Sequence, residues 1–308
     1  MEELVKALTI GLANGLIIAL IAIGYTLVYG ILELINFAHA DVFMLGTALT
    51  YFALEVIVVS MGLPAGSLTA LVLIFAALPF IALLTASVNA SIERVAYRPL
   101  RNAPRVAPLI SAIGMSFVLQ NVGLILLGPS QKAVEPVLPK NDLVFFPSGP
   151  AWFGIDEVMV VAVTIPLLLV LRWFVGSTRQ GKAMRATAQD RDASGLMGID
   201  VNRTISLTFL IAGGLAGAAG LVVALYYGQT WFLFGFQFGL LSFTAAVLGG
   251  IGNLTGATLG GLVIGIISAL SDRFLEAKWT SVLVFSILIL VLVLRPTGLL
   301  SEKVSERA

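Results

Sequence analysis

The chain has no cysteine and a single histidine among its 308 residues, and only 11% of its side chains are charged. The first absence excludes disulfides, iron–sulfur clusters and thiolate zinc sites. The second excludes a multi-histidine metal centre, and Glu33 and Asp41 beside His39 make a poor metal site, so no metal and no cofactor are expected. Soluble domains average about 25% charged residues. With a net charge of +1 there is also no basic surface of the kind that nucleic acid requires.

What fills the chain instead is apolar: 58% of residues are hydrophobic and the mean hydropathy is +1.01. A bilayer core needs about 20 apolar residues in helix, and runs near that length occur at 7–32, 42–60, 65–92, 109–128, 158–175, 205–227 and 279–294, with a broken stretch at 241–270. They predict an all-α polytopic transmembrane bundle of about eight spans with interrupted or re-entrant segments. The first run is too long for a removable signal peptide and lacks its basic flank and small-residue cleavage site, so it is expected to be the first span. One transmembrane domain over 1–308 is predicted, with polar loops at 129–157 and 176–204.

Charge orients these spans. Residues 93–105 hold four arginines against one glutamate, and residues 172–203 hold six Lys/Arg against three Asp. The positive-inside rule puts both in the cytoplasm, which leaves the Pro- and Gly-rich loop 129–157, with Lys132 and Lys140 among its acidic residues, outside. Counting back from Arg94 puts the N-terminus outside. Arg295, Lys303 and Arg307 draw the C-terminus to the cytoplasm, although one crossing or two half-helices over 241–270 decide the matter.

Two segments interrupt the helical pattern at membrane depth: 33–41, ELINFAHAD, and 249–256, GGIGNLTG. Irregular backbone there survives only where protein or a wet cavity satisfies it, and paired Gly-interrupted segments point to a permeation route. The candidates for that route are Glu33, Asn36, His39, Asp41, Gly249, Gly250 and Asn253. The alternatives are an interfacial turn for the first and a tight helix contact for the second. The small-residue run 213–220 is expected to be packing, and His39 to be a hydrogen-bonded structural residue. Asn14, Asn89, Gln120 and Asn121 are candidates for interhelical hydrogen bonds. Glu55 must face the bundle interior or lie near a membrane edge, since a carboxylate at bilayer centre costs about 3 kcal/mol.

The loop 179–202 predicts a short helix of small and charged residues, from Lys182 to Ala188, with Gly195 and Gly198 as stops. Ala186, Ala193 and Met197 fall near one face, and Lys182, Arg185, Gln189 and Asp192 on another. Such a helix either lies in a groove of a soluble partner or is a connector held near anionic lipid by its arginines. Gly176, Gly181 and Lys182 match the spacing of a phosphate loop, but Ala183 stands where a hydroxyl must reach magnesium and a membrane span replaces the preceding strand.

Several motifs together are specific. They are GYTLVYGILELINFAHAD at the end of the first span, RPLR after the third, GMSFVLQN opening the fourth, GKAMRATAQDRDASGLMGID in the loop, AAVLGGIGNLTGATLGGLVIG, and RPTGLL near the end. On these the chain resembles, over almost its whole length, the LivH-type permease subunits of the branched-chain amino-acid ABC importers of bacterial and archaeal inner membranes. The resemblance implies a subunit without enzyme activity that pairs with a second, related permease, binds two cytoplasmic ABC ATPase subunits and receives solute from an external binding protein. It implies ATPase coupling through Gly181, Arg185, Ala186, Asp190, Ala193 and Gly198. The family's NFAHG appears here as Asn36, Phe37, Ala38, His39 and Ala40, and alanine in the glycine position bears on close backbone approach there. A permease for urea or short amides is the neighbouring alternative. An ion-coupled secondary transporter using Glu33, Asp41 and Glu55 is the rival from another class, and no motif supports an intramembrane enzyme.

Overall fold

Helices account for most of the described residues in the computed structural model, which describes residues 2–64, 67–101, 103–104, 106–138, 142–143, 153–295 and 297–300. Arg105, Lys140, Lys303 and Arg307, invoked above for orientation, lie outside the described residues. The order is α1 (Glu2–Leu32), α2 (Ala38–Leu54), α3 (Leu68–Ile92), α4 (Val106–Leu127), α5 (Ile155–Ser177), α6 (Arg179–Gln189), α7 (Arg191–Leu196), α8 (Val201–Tyr227), α9 (Phe234–Gly249), α10 (Leu254–Phe274) and α11 (Thr280–Leu294). The two-residue strands β1 (Lys132–Ala133) and β4 (Gln229–Thr230) pair antiparallel, as do β2 (Asp142–Leu143) and β3 (Phe153–Gly154). Wider π-helical turns at Glu55–Ser60 and Glu93–Tyr97 extend α2 and α3.

Among the described residues eight helices are long and apolar enough to cross a membrane, α9 being a shorter apolar helix beside them. The broken stretch is neither one bent helix nor a pair of half-helices. It is the short α9, which begins earlier than hydropathy suggests, followed by the full-length α10. A Cβ on Gly260 would fall 2.0 Å from the Ala245 carbonyl, and one on Gly249 would fall 2.0 Å from the Gly256 carbonyl, so the two helices run antiparallel as a hairpin. The turn between them uses Gly250 (φ +106) and Gly252 (φ +97), a backbone region that side chains disfavour.

Small residues set the closest contacts, because lipid tails give apolar helices no hydrophobic reason to associate and packing must do so. Gly11 and Gly15 of α1 meet Gly261 and Gly265 of α10; a Cβ on Gly265 would lie 2.2 Å from the Gly15 Cα. The 213–220 run is packing, as its spacing predicts. Gly213 and Gly217 receive α3 at Thr85, Ala86 and Asn89, while Gly220 abuts the backbone of Gly46 and Thr47 on α2. Thus α1, α2 and α8 form the interior, and α4, α5 and α11 expose long apolar side chains outward.

The ends of the helices sort onto two faces. Arg273 at the end of α10 pairs with Glu3, which puts the N-terminus with that end. On the opposite face, Leu299 and Leu300 donate their N–H groups to the Leu248 and Gly249 carbonyls at 2.9 and 3.0 Å, and Arg191 donates to the Ile31 carbonyl. The C-terminal segment therefore shares a face with the arginine-rich loop. By the positive-inside rule that face is cytoplasmic. Glu55 is exposed at the start of the last turn of α2's extension, which is the near-edge position its charge demands.

Candidate functional site

The two interrupted segments converge. After Leu32 the chain turns at Glu33 (φ +54), and α2 begins at Ala38 beside the middle of α1, since a Cβ on Gly24 would strike the His39 Nε2 at 2.0 Å. The segment 33–37 thus runs back into the bundle. Gly252, in the turn between α9 and α10, lies against Gly30, with a Cβ on Gly30 falling 3.9 Å from the Gly252 Cα. Ile35 from the first break and Ile251 from the second line one apolar crevice with Tyr25, Tyr29, Phe243 and Ala246, and its volume is about 10 Å³. That is room for about one water, so the crevice is shut.

Polar side chains brace the first break from the α3 and α8 side. Tyr97 donates its hydroxyl to Asn36 Oδ1 at 2.7 Å, Asn36 Nδ2 lies 3.5 Å from Asn89 Oδ1, and Asn89 Nδ2 donates to the Phe209 carbonyl at 2.7 Å. Below them, Glu93 is fully buried yet complete: Arg101 donates to one oxygen and the Ser206 hydroxyl to the other at 2.6 Å. Arg101 also donates to Asn202. Burial pulls the Arg101 guanidinium below its ordinary range, while the neighbouring Glu93 carboxylate pushes the other way.

His39 departs from the expectation of a hydrogen-bonded residue. It is fully buried, and its polar neighbour is the Ile21 backbone, which lies in range of the ring but outside ideal hydrogen-bond geometry. Its ring packs against Gly24 at the Nε2 and Cε1 edge and meets Tyr25 in a T-shaped contact at a centroid separation of 5.1 Å. Asp41 accepts from Ser116 through Oδ2, with Gln120 also close, while Oδ1 sits unpartnered against Gly235. The alanine at position 40 does not open the packing: its methyl occupies the space that Gly239 of α9 leaves, 2.6 Å from where a Cβ there would stand. Gly249 and Gly250 build the α9–α10 hairpin. Asn253 caps α10 by accepting from the Gly256 N–H at 3.0 Å and donates to the Leu300 carbonyl at 2.8 Å.

Of the other polar candidates, Asn14 accepts from Tyr227 across helices at 3.0 Å. Asn121 does not bridge helices: it donates to the Phe117 carbonyl within α4, and Gln120 donates to Ser116 of the same helix while facing Asp41.

The cytoplasmic loop is two helices and not the one expected. Asp190 adopts an extended conformation (φ −158, ψ 112), ends α6 and caps α7 by accepting from the Ala193 N–H at 2.9 Å. Ala186 therefore shares no face with Ala193 and Met197. Gly198 (φ +85) closes α7, with the Ile199 N–H returning to the Ser194 carbonyl at 3.0 Å, a left-handed cap that glycine suits. Gly181 is buried at the elbow, where a Cβ would fall 2.3 Å from the Phe174 carbonyl. Arg185 donates to the Val175 and Gly176 carbonyls at the end of α5. Among the large apolar residues of the loop Leu196 and Met197 face outward, 89% and 84% exposed; the sequence pattern puts Met197 on the small-residue face but does not single out Leu196. A cavity of about 470 Å³ separates this loop from the first break, with Leu34, Tyr97 and Arg101 on one side and Gln189, Asp190 and Arg191 on the other.

A polytopic helical bundle whose interior is interrupted by two converging irregular segments, with a rigid polar loop at their cytoplasmic end, is the architecture of a membrane permease. The chain belongs to the family described as the branched-chain amino acid transport system / permease component, which it matches over residues 7–293. It is 40% identical over 309 residues to the high-affinity branched-chain amino acid transport system permease protein BraD of Pseudomonas aeruginosa, covering 100% of this chain and 97% of that one. It is 40% identical over 299 residues to the corresponding permease protein LivH of Escherichia coli, covering 96% and 95%. A probable branched-chain amino acid transport permease protein LivH of Methanocaldococcus jannaschii is 26% identical over 296 residues, covering 92% and 87%. No solved structure matches the chain. The protein is a multi-pass transport subunit of the cell membrane, and not an enzyme.

Proposed function

We propose that this chain is one permease subunit of an ATP-binding-cassette importer that carries leucine, isoleucine and valine across a bacterial or archaeal inner membrane. Two cytoplasmic ATPase subunits drive it, an external binding protein delivers the solute, and a second, related permease completes the bundle as a heterodimer. The names of its relatives support the substrate class. The observation that carries the mechanism is the meeting of the two broken segments at one shut, aromatic and aliphatic crevice.

In this reading the crevice lined by Tyr25, Ile35, Phe243 and Ile251 is the gate, and its apolar walls suit branched aliphatic side chains. Glu33, Asn36, His39, Asp41, Gly249, Gly250 and Asn253 border the passage. Their roles divide: Asn36 is tethered by Tyr97 and Asn89, Gly249, Gly250 and Asn253 shape the second break, and His39 and Asp41 bring buried polar side chains into the interior. Coupling falls to the loop 181–198. Gly181, Arg185, Asp190 and Gly198 fix its shape, Ala193, Leu196 and Met197 form the face that a cleft in an ATPase accepts, and Ala186 on α6 lies beside that face and not on it. Exposed apolar residues rimmed by polar ones mark interaction surfaces.

Reconstitution tests the reading. Proteoliposomes holding this chain, the second permease, the ATPases and the binding protein are expected to accumulate labelled leucine only with ATP, and unlabelled isoleucine and valine are expected to compete. Accumulation by this chain alone under an ion gradient would favour an ion-coupled transporter, and competition by urea but not valine would move the substrate to short amides.

A further inference from the structure

Helix ends leave carbonyl groups unpaired and partly negative, and cations satisfy them best. α1 has no basic residue in its last turn. The cation comes from elsewhere in the chain: Arg191 Nη2 donates to the Ile31 carbonyl at 2.7 Å. Arg191 is the first residue of α7, and its direction is set by the Asp190 cap immediately before it. Ile31 stands two residues before Glu33, the left-handed turn that opens the first break. The bond spans the rim of the 470 Å³ cavity that otherwise separates loop from break. Arg185 makes the same kind of cap on α5, but α5 leads into no interrupted segment.

We propose that Arg191 is the positioning residue that fastens the cytoplasmic loop to the first interrupted segment, so that movement of α7 is delivered to the end of α1 and the Glu33 turn. The inference rests on the reading of the loop as the ATPase-coupling element. Arg185 holds the loop to a continuous span and serves as its fixed pivot. Arg191 holds it to the end of α1, whose Tyr25 and Tyr29 line the gate and which leads into the first break, and serves as the moving link. A guanidinium suits this task because it keeps its charge at any cellular pH and binds in a fixed plane.

The test uses the fully assembled transporter. Arg191→Ala is expected to keep ATP hydrolysis within about twofold of the parent while uptake per ATP falls about tenfold or more, a change of about 1.4 kcal/mol in coupling. Arg191→Lys, which keeps a cation able to reach the same carbonyl, is expected to restore a large part of that ratio. Equal loss of hydrolysis and uptake, or wild-type uptake per ATP in Arg191→Ala, overturns the proposal. Because the chain has no cysteine, spin labels on Leu34→Cys and Gln189→Cys report the cavity directly, even where Arg191→Ala fails to assemble. In the parent the two labels are expected to keep one separation with and without ATP, and a separation that changes on ATP addition also overturns it. If the parent itself shows no ATP-dependent uptake, the reading of the loop as a coupling element fails first, which is a distinct result.

Discussion

Asn89 on α3 gives its amide to the Phe209 carbonyl on α8 at 2.7 Å while its own oxygen faces Asn36 of the first break. One side chain thereby ties two membrane helices to an irregular segment. Replacing it with leucine removes both contacts and leaves the Asn36 amide without its acceptor. Interhelical hydrogen bonds in membranes average about 0.6 and reach about 1.7 kcal/mol. Asn89→Leu is expected to lower stability by about 1–2 kcal/mol on that scale, read as a lower unfolding midpoint in detergent; an unchanged midpoint would show that the amide chain carries no structural weight.

The Glu93 site makes a larger prediction. Its two oxygens are satisfied by Arg101 and Ser206 inside the bundle, and removing one partner of a buried ion pair costs about 3–5 kcal/mol because the other charge is stranded. Arg101→Ala is expected to approach the lower end of that range, Arg101 being partly exposed. The double variant Arg101→Met with Glu93→Gln is expected to recover most of the loss. Denaturant unfolding of the two variants checks the sign: a double variant no more stable than Arg101→Ala would mean that the pair does not act through charge.

Two glycines of similar helical setting are expected to differ sharply. Gly265 faces the backbone of Gly15, and a Cβ there overlaps atoms that cannot yield. Gly114 on α4 has nothing within 4 Å of its would-be Cβ. Gly265→Ala should therefore abolish or severely reduce folded protein, whereas Gly114→Ala should be neutral or stabilise by up to about 1 kcal/mol through helix propensity. Size-exclusion profiles of the two variants in detergent decide it.

In the cytoplasmic loop, substitution of the exposed pair Leu196 and Met197 by serine is expected to leave the permease's own midpoint within about 0.5 kcal/mol, as surface changes do, and to abolish co-purification with the ATPases. Asp190→Ala removes the α7 cap at a cost of about 1 kcal/mol and should lower uptake, while Asp190→Asn keeps the cap and should retain most of it. Co-purification that survives the Leu196 and Met197 changes would move the docking face elsewhere on the loop.

Hydropathy alone made the long spans legible, because lipid forces about twenty apolar residues into each crossing. It missed the start of α9, whose FGFQFG opening reads as broken by glycine, since the reason for those glycines lies across the bundle: Gly235 admits Asp41, and Gly239 admits Ala40. The break at Asp190 had a local signal, an N-cap aspartate, that was outweighed by the helix formers on either side of it. Of the candidate site, the two interrupted segments were visible as composition, but their meeting at Gly30 and Gly252 was not, being a tertiary fact. The arginine caps on α1 and α5 and the seat of the His39 ring against Gly24 were hidden for the same reason. Sequence spacing cannot say which distant carbonyl a guanidinium reaches.

The enclosure of α1 bears on how the protein is made. It leaves the ribosome well before α10, yet its glycine seam is closed by α10, which begins only at Leu254. During synthesis Gly11 and Gly15 must therefore wait in lipid, or against an insertase, until the helices from α2 to α9 have been translated. A polypeptide that stalls before Leu254 leaves that seam bare, and quality-control proteases of the membrane have an unprotected helix to recognise.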